Sequence, residues 1–145
     1  LAAQIAERAL TNVRMIPFQP EAELPLLRAA IDVQLSLYAK GAVQSSLPSK
    51  IYEIMASARP AIVSAERGSD LFNLVSATGC GICIEPEHAG QLTQAIRSLH
   101  DDRTEGARLG QRGRDAVERS FSKAVAVDAY ARLINDIDKA VHAQQ

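Results

Sequence analysis

Lys50 and Glu53 stand three residues apart in the stretch SLPSKIYEIMASARPAIVS, residues 46–64. The stretch reads as a turn, a helix of about ten residues and a buried strand, which puts both side chains on one helix face, about one turn apart. Lys50 falls in the first turn, where unpaired backbone N–H groups already present positive charge and a cation is disfavoured. An anion reverses that sign. With Ser49 as N-cap, the free amides and the ammonium group converge on one place, which is an anion site. Charge-assisted bonds to a phosphate outweigh a dipole penalty of a few tenths of a kcal/mol. Glu53 can then accept hydrogen bonds from sugar hydroxyls on both carboxylate oxygens. The plainer alternative is a surface ion pair between the two side chains, stabilising the helix by about 0.2–0.5 kcal/mol.

Other chemistry-bearing residues are weaker candidates. Cys80 and Cys83 form one C-x-x-C, but the three histidines, His88, His100 and His142, show no ligand spacing with them, so no zinc site is expected. If residues 81–85 are a strand, the two sulfurs point to opposite faces and act as small core fillers. Gly68, Ser69 and Asp70 fit a turn leading into a helix, with Ser69 as N-cap and Asp70 favourable in the first turn. Glu66 and Arg67 read as solvated, with Glu66 placed to line a cleft. Arg103, Arg108, Arg112 and Arg114 are interleaved with acidic residues and read as a solvated helix face.

The elements that must position these residues alternate along the chain. Residues 1–10 read as helix, 13–16 as a strand, 19–30 as a short helix with Pro20 or Pro25 near its start, and 31–38 as a strand. In that strand Ile31, Val33, Leu35 and Leu37 alternate with Asp32, Gln34 and Ser36. Helix at 49–58, strand at 60–64, helix at 69–78, strand at 81–85 and helix at 87–100 follow. Gly79 lies where a helix end needs a positive φ. Two helices close the chain; Ser122 offers an N-cap to the last, whose Val127, Tyr130, Ile134, Ile137 and Val141 form one apolar stripe. The order predicts an α/β, doubly wound, mostly parallel sheet of Rossmann-like type. Ligands of such folds bind outside the carboxyl ends of the strands, here the loops after Leu37, Ser64 and Glu85.

Bulk properties exclude several classes. With 145 residues, 47% of them hydrophobic, the chain can bury one substantial core. A net charge of −1 gives no basic surplus for nucleic acid. No apolar run is long enough to span a bilayer and no signal-peptide pattern is present, so the expected compartment is the cytoplasm. A start at Leu1, already inside a helical pattern, suggests a fragment.

Four stretches in order resemble the C-terminal nucleotide-sugar-binding domain of GT-B fold glycosyltransferases of the family 4 type (group 1). NVRMIPFQPEAELPLLRAAIDVQLSL is similar to the family's N-V-x-F-x-G, helix, A-D-V, strand segment. SLPSKIYEIMASARPAIVS resembles its Pro, Glu, Met-Ala helix and Pro-Val-Val strand. GSDLFNLVSATGCGICIEPEHAGQLTQAIRSL resembles its G-x-x-E, G-x-G strand and following helix. ARLGQRGRDAVERSFS resembles its L-G-x-x-G-R-x-x-A-x-x-x-F-S. The likeness extends over residues 12 to about 134.

The resemblance implies the donor-binding portion of a retaining enzyme that moves a sugar from a UDP- or GDP-sugar to a glycan or lipid-linked acceptor, without an obligatory metal or other cofactor. Glu53 matches the second Glu of the family's "Glu, seven residues, Glu" motif, which binds the ribose. The first, which contacts the transferred sugar, falls on Ser45, and no Asp or Glu occurs between residues 38 and 48. A subgroup carries P-S-K here, so Lys50 fits the diphosphate. Backbone amides from Gly41 to Ser46 are expected to approach sugar or phosphates, with Gly41 permitting close contact. The donor-site set is thus Gly41, Ser46, Ser49, Lys50 and Glu53, with the catalytic residues unassigned.

An N-terminal acceptor domain and the first two strands of this domain are implied to lie outside residues 1–145. In the usual strand order 3-2-1-4-5-6, the strand at Val13 is then cut off from the other three, and exposed sheet edges invite pairing with another chain. The full protein is expected in the cytoplasm or at the inner-membrane surface, in polysaccharide biosynthesis, and the fragment alone is expected to be inactive. The competing reading is a non-catalytic domain of the same fold acting in binding or assembly, with Ser45 as its support. A sugar-nucleotide epimerase of related architecture is a third. No G-x-G-x-x-G follows a strand, which argues against a dinucleotide-dependent dehydrogenase.

Overall fold

The computed structural model describes residues 1–42 and 47–142. Three short strands, β1 (Gln34–Ser36), β2 (Ala61–Ser64) and β3 (Gly81–Ile84), form a parallel sheet in chain order. Leu35 pairs with Ile62, and Ile62 with Ile82. The helices are α1 (Ala2–Glu7), α2 (Leu24–Ala29), α3 (Lys50–Ala56), α4 (Asp70–Thr78), α5 (Ala89–Asp101), α6 (Arg103–Ala116) and α7 (Lys123–His142). A 3₁₀ turn, Glu21–Glu23, leads into α2, where Pro25 sits at the tolerated first positions.

β2 is the centre because all four of its residues are buried, as an apolar run covered on both faces requires. On one face Ile51, Ile54 and Met55 of α3 and Leu71 and Val75 of α4 pack with Ala61 and Val63. On the other, Ala95 and Leu99 of α5 and Leu109 of α6 pack with Ile62 and Ile84. A fully buried side chain such as Ile62 stabilises by about 1.5–3 kcal/mol, so these two layers hold the sheet. Both ends of α4 and the start of α7 follow the sequence signals. Ser69 caps α4 through the Phe72 N–H at 3.2 Å, Gly79 ends it at φ 62°, and Ser122 Oγ accepts from the Val125 N–H. The α6 backbone presses against the chain end of α3, where a Cβ on Gly110 would lie 2.2 Å from the Ala58 carbonyl oxygen. Arg114 reinforces this contact by donating to the Ala56 carbonyl at 2.6 Å.

Three expectations are corrected. The strand expected at 13–16 does not form: this segment has no regular structure, and Met15 and Ile16 are exposed. A strand needs a hydrogen-bonding neighbour, and among the described residues none lies beside it. The strand expected at 31–38 shortens to Gln34–Ser36, and its buried residues are the polar ones. Gln34 donates to Ser57 Oγ at 2.8 Å and Ser36 to the Tyr38 hydroxyl at 3.1 Å, while Leu35 and Leu37 face outward. Cys80 and Cys83 do not point apart. Cys80 precedes β3, so strand alternation does not govern it, and both side chains pack against the core under α3 and α4.

Between α6 and α7 the helix widens into a π turn, Val117–Phe121. It turns Phe121 onto Tyr52 of α3, ring centroids 5.0 Å apart, a separation at which tilted rings attract. The apolar stripe of α7 exists as read, but its Tyr130, Ile134 and Ile137 are exposed. No helix among the described residues is long and apolar enough to cross a membrane.

Candidate functional site

The loops after β1 and β2 meet at the carboxyl end of the sheet. Ser64, the last residue of β2, donates its hydroxyl to the Tyr38 carbonyl at 2.9 Å and accepts from the Tyr38 N–H, so the chain leaving β1 is tied to the central strand. Three residues on, Gly41 has φ +77°, a conformation that a side chain rarely adopts, and none of the described residues lies within 4 Å of where its Cβ would be. The Gly41 N–H donates to Oε1 of Glu66, two residues beyond β2, at 3.2 Å. Ser45 and Ser46 lie outside the described residues.

Lys50 is the first residue of α3 and is exposed; among the described residues it makes no ion pair. Ser49 precedes it but does not cap. Its backbone is already helical at φ −58° and ψ −27°, and its hydroxyl makes no capping bond. The Ile51 N–H instead donates to the Pro48 carbonyl at 3.2 Å, so the start of the helix is satisfied by backbone. With seven residues, α3 carries a small dipole, and the positive charge at its start belongs chiefly to Lys50.

Glu53 follows one turn later, but its partner is not Lys50. The Arg28 guanidinium from α2 donates to Glu53 Oε2, with the two side chains 29% and 48% exposed. One oxygen is thereby fixed, while Oε1 keeps its acceptor capacity. The structure thus places Lys50 and Glu53 on one helix and Gly41 on the loop before it, with Glu53 bonded to Arg28 and Gly41 to Glu66.

Arg28, Tyr38 and Ser64 escaped sequence reasoning. Nothing in the sequence marks Arg28, which reaches Glu53 through tertiary packing. Ser64 could have been found from the strand-end rule alone, since it stands where β2 leaves the sheet, and Glu66, read from sequence as placed to line a cleft, lies two residues beyond it. The arginines of α6 are surface groups as read: Arg108 pairs with Glu105 at 2.6 Å and Arg114 with Glu118 at 2.5 Å.

Beside this site a cavity of about 420 Å³ opens among Tyr38, Ser64, Ile84, Glu87 and His88. Another, of about 400 Å³, lies at the amino end of the strands near Asp32, Arg59 and His100, away from the ligand-binding end of such sheets. Burial pushes the Cys80 thiol up from its ordinary pKa, and burial beside Cys80 raises Cys83 to about 11; neither is an activated nucleophile. Among the described residues no group of three or more His, Cys, Asp and Glu could hold a metal ion.

The Gly41 turn and the start of α3 with Lys50 lie on the segment that leaves the carboxyl end of β1, the end of a parallel α/β sheet where ligands bind. The chain belongs to the family Glycosyl transferases group 1, whose model matches residues 1–116. It is 34% identical over 92 residues to the colanic acid biosynthesis glycosyl transferase WcaI of Escherichia coli (strain K12), covering 63% of this chain and 23% of that protein. It is 25% identical over 118 residues to the glycosyltransferase WbjE of Pseudomonas aeruginosa, covering 81% of this chain and 29% of that protein. The chain thus spans about a quarter of the length of these curated relatives.

Among solved structures, the sucrose-phosphate synthase of Thermosynechococcus elongatus superposes with a TM-score of 0.76 at 23% identity, over 96% of this chain and 34% of that one. The Anabaena protein HepE, solved in complex with UDP-glucose, also gives 0.76, at 18% identity over 93% of this chain and 35% of that one. The fold is that of the C-terminal domains of GT-B glycosyltransferases.

Proposed function

We propose that residues 1–145 are the donor-binding portion of a retaining glycosyltransferase that moves a sugar from a UDP- or GDP-sugar to a glycan or lipid-linked acceptor. The observation that carries this reading is the placing of Lys50 and Glu53 one helical turn apart on α3, the helix that follows the loop of Gly41 in the chain, in a protein of this family. The neighbour solved with UDP-glucose and the relative in colanic acid biosynthesis support it.

In this reading Lys50 faces the diphosphate. When the sugar leaves, negative charge develops on the diphosphate, and a positioned ammonium group stabilises it without reorganisation. The role of an obligatory metal falls to such cations. Glu53, held by Arg28, accepts from the ribose hydroxyls, and Gly41 lets the backbone approach the ligand. Ser46 and Ser49 complete the donor set. An N-terminal domain supplies the acceptor side and closes the cleft, so residues 1–145 alone bind without transferring. We place the full protein in the cytoplasm or at the inner-membrane surface, where a lipid-linked acceptor is reached.

The test is an assay of the full-length parent with UDP- and GDP-sugars. Transfer or donor hydrolysis that is abolished by Glu53→Ala supports the reading; an inert parent supports a non-catalytic domain that binds or assembles. Titration of UDP and GDP followed by NMR should shift amides at the start of α3.

A further inference from the structure

At the opposite end of the sheet from the candidate donor site, the cavity of about 400 Å³ before β1 and β2 is lined by Asp32, Arg59, His100 and Arg103, beside the apolar Pro60 and Leu99. Both arginines carry a permanent charge, and His100 offers at least one ring N–H in either protonation state. Among the described residues none of these three makes an ion pair. Arg103 differs in this from Arg108 and Arg114 of the same helix, which are paired with Glu105 and Glu118. Asp32 is the one acid among the described residues that line the cavity.

Arg59 supplies an independent observation. Its guanidinium donates to the Ala29 carbonyl, while its Nε is buried and has no hydrogen-bond partner among the described residues. A buried donor left unpaired is costly and calls for an acceptor, and an anion in the cavity that Arg59 lines is one. The backbone that presents this arginine is fixed. Ala58 ends α3 at φ 54° with its N–H donating to the Met55 carbonyl at 3.1 Å, and the Pro60 carbonyl accepts from the Gln34 N–H at 3.0 Å. Helix α6 closes on the same turn through Gly110 and Gly106, where an added Cβ would meet Ala58 and Pro60. The charged groups therefore stand on a frame that is formed without a ligand.

We propose that this cavity binds a small phosphate monoester bearing hydroxyl groups, at a site separate from the donor site. A phosphate monoester loses its second proton at about pH 6, so near neutral pH its charge matches two arginines, whose planar forks suit phosphate oxygens. Asp32 explains the hydroxyl groups: an ionised carboxylate only accepts hydrogen bonds, so it repels a phosphate and holds a hydroxyl. The site does not depend on the donor-binding reading, since no residue of the donor set lines the cavity.

The experiment titrates the full-length parent by calorimetry with glucose 6-phosphate, inorganic phosphate and glucose. The native protein should bind glucose 6-phosphate more tightly than inorganic phosphate. Arg103→Gln, at an exposed residue without an ion pair in the fold, should weaken both phosphates about tenfold or more. Arg59→Gln should do the same, and Arg59→Lys should keep part of the affinity. Asp32→Asn should weaken glucose 6-phosphate and leave inorganic phosphate no weaker, while Lys50→Ala should change neither. A folded native protein that binds neither phosphate overturns the proposal, as does binding that survives both Arg103→Gln and Arg59→Gln. Binding lost in Lys50→Ala but kept in Arg103→Gln assigns the phosphate to the donor site and also overturns it. Glucose 6-phosphate bound no more tightly than inorganic phosphate, or as tightly as glucose, overturns the assignment of a hydroxylated ester.

Discussion

The Arg28 guanidinium of α2 holds the Glu53 carboxylate of α3 across a separation of 25 residues. It is a contact between a helix with no buried residue and the helix that carries the candidate donor site. Both side chains are partly exposed, so the pair stabilises the fold by no more than about 1 kcal/mol. Arg28→Ala should therefore leave the unfolding midpoint nearly unchanged while UDP or GDP affinity falls about two- to fivefold, because Glu53 loses its fixed orientation. Arg28→Lys should recover part of it. Calorimetric titration alongside thermal unfolding measures both.

Lys50→Ala should weaken the nucleoside diphosphate by about ten- to a hundredfold, the scale of a hydrogen bond to a charged group. The nucleoside without phosphates should bind as before, and the salt dependence of binding should flatten. Removing a cation from the start of α3 should not destabilise the fold.

Two glycines of α6 should respond in opposite directions to the same substitution. Gly110→Ala places a methyl group 2.2 Å from the Ala58 carbonyl oxygen, so the helix must move away, at a cost of about 1–3 kcal/mol. At Gly106 the added carbon meets only Pro60 and Leu99, at 3.8 and 4.0 Å. Ala there should stabilise by up to about 1 kcal/mol through helix propensity. Urea denaturation of the two variants separates close approach from flexibility.

Cys83 should resist alkylation at neutral pH and react as pH rises towards about 11, where the thiolate forms in the folded state. The sign of the linkage follows. The unfolded thiol ionises near 9.0 and the folded one about two units higher, so between these values the folded chain holds the extra proton. Stability is fully present below about pH 9 and declines as pH rises through 11. Denaturation of the native protein and a Cys83→Ala variant across this range measures it.

Much of the fold was legible where side chains report directly on their own segment. The run AIVS announces a strand buried on both faces, and Ser69, Asp70 and Gly79 bracket α4. The alternation at 31–38 was legible as a period but not as a face. Gln34 and Ser36 go inside because Ser57 and Tyr38 satisfy them, and those partners are set by packing. Val13, Met15 and Ile16 have strand-like composition, but composition cannot supply a neighbouring ladder. The site divides in the same way: Lys50 and Glu53 share a helix, so their spacing is visible, whereas Arg28 reaches Glu53 through folding.

The π turn at Val117–Phe121 sets the rotational phase between α6 and everything after it. Deleting one residue there advances the downstream helix by about 100° around its axis, which swings Phe121 off Tyr52 and unlatches α3 from the far end of the chain. In a surface helix such a one-residue change in length alters little. Here chain length is itself information, and α3, which carries Lys50 and Glu53, depends on its being right.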